Sequence, residues 1–237
     1  MRMAVFLTGD IHGELDIAKV DDFSRGDGQA LTSDDYLIIL GDFGLVWTDP
    51  SSEGEAARLD WLEAQPWTTL FVDGNHENSD LLDALPVEKW AGGRVHRVRE
   101  HVLHLMRGEA FVIDGLTFFV VGGAYSIDRE WRTPHRTWWP QEVPSAEERA
   151  YVDRRVRELG SVDYVLTHCP PTGCYRRYRA RWSGFWGPSD EWTDWLEEHV
   201  EGKLRYRRWF YGHLHFDLPD DEPHTLLFNH VLRLPEA

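Results

Sequence analysis

The 237 residues carry 41 acidic against 25 basic side chains, a formal net charge of −16 with a pI near 5.1, and such a surface repels a phosphate backbone and disfavours general nucleic-acid binding. No apolar run approaches the ~18 residues of a membrane span, no pattern of basic, apolar and small-residue regions marks a signal peptide, and two cysteines, Cys169 and Cys174, are too few for a disulfide scaffold. The expectation left is a reduced, cytoplasmic protein in which 1–237 forms one domain, long enough to bury a sizeable core.

Taken in order, the predicted elements repeatedly deliver an apolar run into a polar cluster. Ala4–Thr8 reads as a strand that ends in Gly9-Asp10-Ile11-His12-Gly13, and Tyr36–Leu40 as a second that ends in Gly41-Asp42-Phe43-Gly44. Ser52-Glu53-Gly54-Glu55 fits a capping box, with Ala56, Leu59 and Leu62 following at helical spacing. Thr69–Val72 leads through Asp73 into Gly74-Asn75-His76-Glu77, after which Asn78 caps a short helix through Leu81, Leu82 and Leu85. Short apolar segments from Arg94 to Gly122, with Asp114-Gly115 as a hairpin turn, read as an antiparallel meander. Ser145-Ala146-Glu147-Glu148 is a second capping box, opening a helix to about Leu159. Tyr164–Thr167 runs into His168, and Ser189 is placed as the cap of a helix holding Trp192, Trp195 and Leu196. Trp209–Tyr211 runs into Gly212-His213-Leu214-His215, and Thr225–Leu234 reads as one or two closing strands. Ser126–Pro144 and Pro170–Pro188 lack periodicity, and long irregular loops of this kind are often functional.

An Asp or Asn after one strand is ordinarily a turn residue or a helix cap. Five polar clusters in succession at strand ends are better explained by convergence, because in open α/β sheets ligands sit beyond the carboxyl ends of the strands. Carboxylates, an amide and imidazoles, with no thiolate, suit divalent Mn, Fe or Zn more than a structural thiolate site. Asp-x-His and His-x-His each place two ligands on the same side of an extended segment.

The ordered set Asp-x-His, Gly-Asp, Gly-Asn-His-Glu, a lone His and Gly-His-x-His resembles the calcineurin-like metallophosphoesterase superfamily, over residues 9 to 215. The resemblance implies a four-layer αββα sandwich of two mixed β-sheets flanked by helices, an α/β fold. It implies two divalent metal ions: Asp10, His12 and His215 on one, Asn75, His168 and His213 on the other, and Asp42 bridging both. It implies hydrolysis of a phosphate mono- or diester by a hydroxide held between the ions, with His76 assisting the leaving group.

The chain departs from the protein phosphatase branch, which resembles this order but carries Asp-Arg-Gly after its second Gly-Asp. Here Phe43-Gly44-Leu45 stands in that place, so the arginine clamp is missing. Other arginines are the candidates for holding phosphate: Arg107 at an expected hairpin turn, Arg129 and Arg132 in the loop after Gly122-Gly123, and Arg176 and Arg177 in the cluster that continues to Arg179 and Arg181. Trp131, Trp138, Trp139, Trp182 and Trp186 interleave with them and suit stacking on a ring, although tryptophan more often packs inside. The expected partner is a small phosphorylated molecule or nucleotide, with no membrane. A phosphoprotein phosphatase, a nuclease and a non-catalytic metal-binding module are the rivals. Cys169 reads as a buried filler. His96, His101, His104, His199, His224 and His230 read as structural or exposed, and His135 differs only by lying in a candidate loop.

Overall fold

A computed structural model describes residues 3–182 and 189–235. Trp186, one of the candidate stacking residues, lies outside the described residues.

The strands are β1 (Val5–Thr8), β2 (Tyr36–Leu40), β3 (Thr68–Val72), β4 (Val87–Trp90), β5 (Gly93–Arg99), β6 (Val102–Leu105), β7 (Ala110–Ile113), β8 (Leu116–Val121), β9 (Tyr164–Thr167), β10 (Arg208–Tyr211), β11 (His224–Leu226) and β12 (Leu232–Arg233). The helices are α1 (Ala18–Arg25), α2 (Glu53–Glu63), α3 (Ser79–Asp83), α4 (Ala146–Leu159), α5 (Thr172–Arg181) and α6 (Glu191–Leu196). One sheet has the order β12-β1-β2-β3-β6-β5-β4 and the other β11-β10-β9-β8-β7.

Alternation within each strand builds the layers. Leu7, Ile38, Leu40, Leu70 and Val72 of the first sheet meet Phe118, Val120, Leu166 and Phe210 of the second in one core. The intervening Phe6, Leu37, Ile39 and Phe71 turn outward to Val20 and Phe23 of α1 and Leu59 and Leu62 of α2. On the far side, Phe119, Val121, Val165, Trp209 and Tyr211 pack against Val152 of α4, Tyr178 of α5 and Trp192 of α6. Strands buried on both faces read as near-continuous apolar runs, which is why they were legible. The result is the four-layer αββα sandwich. Among the described residues no helix is long and apolar enough to cross a membrane.

Four expectations change. The 94–122 meander is divided between the sheets: β5 pairs antiparallel with β6 and β7 with β8, but β6 joins β3 in parallel and β8 joins β9 in parallel. Residues 106–109, expected as a hairpin turn, are the crossing from one sheet to the other, with Gly108 at φ 76°. The irregular stretch after Pro170 contains α5, whose buried Thr172, Cys174, Tyr175 and Tyr178 lie among arginines that mask an apolar stripe. The cap of α6 is Asp190, not Ser189; its carboxylate accepts the N–H groups of Trp192 and Thr193, both at 2.9 Å.

The other helix starts agree with expectation. Ser52 and Ser145 each close a complete capping box, and Asn78 caps α3 by accepting the Leu81 N–H. The five strands that carry the polar clusters are β1, β2 and β3 of one sheet and β9 and β10 of the other, mutually parallel within each sheet. Their carboxyl ends meet at one edge of the sandwich, where Asp42 after β2 lies 3.2 Å from His168 after β9.

Candidate metal centre

At that edge the Asp10, His12, Asp42 and His215 side chains each turn a ligand-type atom inward, all within 4.8 Å of one another. Asp42 is the hub: Oδ2 lies 3.1 Å from His12 Nε2, and Oδ1 lies 3.2 Å from His168 Nε2 while accepting the His76 backbone N–H at 2.7 Å. On the second side His168 Nε2 is 3.1 Å from Asn75 Oδ1, and the His168 and His213 rings meet edge to face at 4.9 Å. The structure thus brings all seven expected ligands to one place. Asp10 Oδ2 is buried and accepts no well-aligned hydrogen bond, although His215 Nε2 faces it at 3.1 Å. Two ligand-type atoms in unaligned contact around a buried carboxylate fit a cation between them.

The backbone is bent to present these groups. His12, Asp42, His213 and His215 have φ of 43°, 48°, 70° and 55°, a region that residues other than glycine seldom occupy and that costs about 1–3 kcal/mol each. Neighbouring glycines make the room. A side chain at Gly74 would meet Asp42 Oδ1 at 2.1 Å, and one at Gly41, itself at φ 94°, would meet His168 Nδ1 at 2.1 Å.

Groups behind the centre set ring orientation and tautomer. Asp16 accepts from His12 Nδ1 at 2.7 Å, and the Leu40 carbonyl accepts from His168 Nδ1 at 2.8 Å. Each bond holds the proton on Nδ1 and leaves Nε2 as the ligand atom. Asn75 donates its amide to Ser126 Oγ at 3.2 Å, and Ser126 in turn donates to Glu142 at 2.5 Å. Glu77 does not orient His76; its carboxylate accepts the N–H groups of Phe43 (2.7 Å) and Gly44 (3.1 Å) and ties two motif loops together. Asp16, Ser126 and Glu142 were not anticipated. Only Asp16 left a signal, an acid four residues after a candidate ligand; the other two sit in a loop without periodicity.

The electrostatics call for positive charge. Burial raises the Asp10 and Asp42 carboxyls, yet His168, together with His215 at Asp10 and His12 at Asp42, outweighs it and holds both below the usual range. His168 is opposed by burial but pushed up to about 10 by Asp42 and Asp10. Burial, then His168, pushes His213 down to about 3. His76 is lowered by burial against the pull of Asp42, with Arg132 adding to the shift.

The arginines separate. Arg132 Nη1 and Nη2 lie 3.1 and 3.3 Å from His76 Nδ1 and Nε2, so the guanidinium runs along the ring, and Asp128 holds its Nε at 2.8 Å. Arg129, in the same loop, is exposed and stacks over Tyr125. Arg107 is not at the centre: it is mostly buried against Asp73 at 2.6 Å, with 11% of its side chain exposed, and reaches Glu148 at 3.2 Å. Arg177 turns toward His224 (3.2 Å) and Asp221 (3.7 Å), and Arg176 is exposed on α5. Among the tryptophans, Trp131 is 90% exposed while Trp139 is core. Trp182 packs on Tyr178 and Phe216. His135 pairs with Asp80. Cys169 and Cys174 are free and buried, and burial pushes the Cys169 thiol well up.

Comparison with known proteins agrees with this geometry. The chain is similar to the lariat debranching enzyme of Drosophila pseudoobscura pseudoobscura, 25% identical over 191 residues that cover 73% of this chain and 34% of that protein. It is 24% identical to the lariat debranching enzyme of Drosophila melanogaster over 261 aligned positions, 99% of this chain and 46% of that protein. The chain therefore spans less than half the length of these curated relatives. The calcineurin-like phosphoesterase profile matches residues 3–217, which reach from β1 to just past His215. Since that span takes in every polar cluster at the shared edge of the two sheets, the chain belongs to the calcineurin-like phosphoesterase family.

Proposed function

We propose that the chain hydrolyses a phosphate mono- or diester of a small molecule or nucleotide with two divalent ions. Asp10, His12 and His215 would hold one ion, Asn75, His168 and His213 the other, and Asp42 both. Metal-dependent phosphoester hydrolysis is the reaction class of the family. Oxygen and imidazole donors without thiolate favour Mn²⁺, with Fe or Zn as alternatives. When bound, the ions supply Lewis acidity, polarising phosphate oxygens and lowering the pKa of water.

The observation that carries the reading is the His76–Arg132 pair at the rim of the seven-residue cluster. In this reading Arg132 takes the place of the missing clamp, pairing a phosphate oxygen with a guanidinium that Asp128 already holds. His76, whose ring lies 5.1 Å from that of His12, donates to the departing oxygen. Asn75 and Asp42 keep their oxygens inward because Ser126 and the His76 N–H fix them.

The similarity to lariat debranching enzymes makes a nucleic-acid lariat the second reading, against which stands the net charge of −16. We also read 1–237 as one domain, supported by a shared inter-sheet core that draws on both Val5 and Leu234. A cytoplasmic setting is part of the reading, supported by the two free cysteines.

The test is hydrolysis of mono-aryl and bis-aryl phosphate by metal-stripped protein refilled with Mn²⁺, beside Asp42→Asn and His76→Ala. The expected result is metal-dependent turnover that falls in both variants, with metal content kept in His76→Ala. Absence of turnover with Mn²⁺, Fe²⁺ and Zn²⁺ would refute the reading.

A further inference from the structure

A cavity of about 680 Å³ opens beside the centre, with His12, His76 and His215 along one wall. The rest of its lining includes Leu15, Leu45 and Trp47, and the acidic residues Glu14, Asp16 and Glu55. Among the described residues no lysine or arginine lines it. Two of the acids are engaged: Asp16 holds His12, and Glu55 accepts the N–H groups of Trp47 and Thr48 at 2.6 and 2.9 Å. Glu14 is the accessible one, 60% exposed with Arg58 Nε 3.6 Å away. Leu15, 84% exposed, forms an apolar lip. Trp47 is held edge to face against the buried Trp139.

The arginine that reaches His76, Arg132, and its neighbour Arg129 are both absent from the cavity lining, which offers apolar surface and acidic side chains. A substituent bearing further phosphates or a carboxylate would enter the cavity with no lysine or arginine among the described residues of its lining and against Glu14, whose nearby Arg58 only partly offsets its charge. His76 lines the cavity and, on the phosphoesterase reading, serves the leaving oxygen, so the group entering here is the one that departs.

We infer that this cavity selects a leaving group that is an uncharged or cationic ring-sized organic moiety and rejects one carrying additional negative charge. The inference rests on the phosphoesterase reading and deepens it: nucleoside or aryl esters are accepted, polyphosphate leaving groups are not.

The test uses phenyl phosphates and their methyl diesters carrying a meta trimethylammonio, neutral or sulfonate group. Each kcat/KM of the Mn²⁺-loaded protein is divided by the uncatalysed rate. The expected order is cationic and neutral above anionic by roughly tenfold, narrowing as salt rises. Glu14→Lys should raise the anionic-to-neutral ratio by about tenfold. Equal values for the three substituents, or a ratio unmoved by Glu14→Lys, would overturn the inference while leaving the phosphoesterase reading intact. No turnover of any of the esters would remove both.

Discussion

Arg107 invites the most informative perturbation, because sequence placed it with substrate and structure places it behind the metal centre. Its Nε and Nη2 lie 2.8 and 2.6 Å from Asp73, and Nη2 also donates to the Gln141 carbonyl at 2.8 Å. Asp73 leads through Gly74 to Asn75, and Glu142 supports Asn75 through Ser126. Arg107 therefore braces one proposed ligand from two directions. In Arg107→Met, Asp73 would keep only His104, at 3.2 Å, while its side chain remains 5% exposed. Breaking a buried pair on one side costs about 3–5 kcal/mol. Burial opposes the Asp73 charge, but Arg107 holds its carboxyl far below the usual range, so in the wild type this stability is present above the unfolded carboxyl pKa of about 3.9. Urea unfolding of metal-free protein should thus show a wild-type advantage of about 3 kcal/mol that holds from pH 7 down to about pH 4 and shrinks only below it, as the pH falls toward the depressed folded value. Asp73→Asn added to Arg107→Met should recover about half of the loss, since the unpaired charge is gone. A variant within about 0.5 kcal/mol of wild type with a raised KM would refute the brace and return Arg107 to substrate.

Three further predictions concern the surroundings of the centre. Asp16→Ala removes the acceptor that holds the His12 tautomer and should weaken metal binding by about 10–100-fold in calorimetric titration; unchanged affinity would show that the His12 ring needs no such partner. Glu77→Gln keeps one acceptor for the Phe43 and Gly44 N–H groups and Glu77→Ala keeps none, so metal affinity should fall in that order, by about tenfold or more in the alanine variant. The reverse order would dissolve the proposed tie between loops. His224 is opposed by burial but pushed up to about 9 by Cys174 and Glu201, and a raised histidine stabilises fully below about 6.5 and loses this as pH rises through the folded value. The stability gap between wild type and His224→Gln should therefore be about 1–3 kcal/mol at pH 6 and close by pH 10, whereas a constant gap would place His224 among merely packed residues.

The fold, and the convergence of the candidate ligands on one edge, were legible because each rests on short-range pattern. Doubly buried parallel strands leave continuous apolar runs such as Tyr36–Leu40 and Thr68–Val72, and each ends in a cluster whose residue types already imply the chemistry. What sequence could not supply was pairing at a distance. Nothing in 94–122 says that the chain changes sheets at residue 106, since hairpins and crossings share the same turn residues. The same limit applied to the arginines. Arg107 and Arg132 are alike as sequence, and only the fold shows that one meets Asp73 and the other His76. The α5 helix was hidden by composition, because its buried stripe is built from Thr172, Cys174, Tyr175 and Tyr178 rather than aliphatic residues.

The His213 N–H donates to Asp10 Oδ1 across 203 positions of chain, and this separation bears on how the protein is made. At about 5–20 residues per second, the first motif waits roughly 10–40 s for the last to be translated. For most of that interval Asp10 and Asp42 lack His168, and to its end they lack His213 and His215, so the nascent chain carries carboxylates with only part of their counter-charge. Completion of the proposed centre therefore belongs to the end of synthesis, and a chain cut short before Gly212 would lack two of its seven residues, His213 and His215, however well its first sheet had formed.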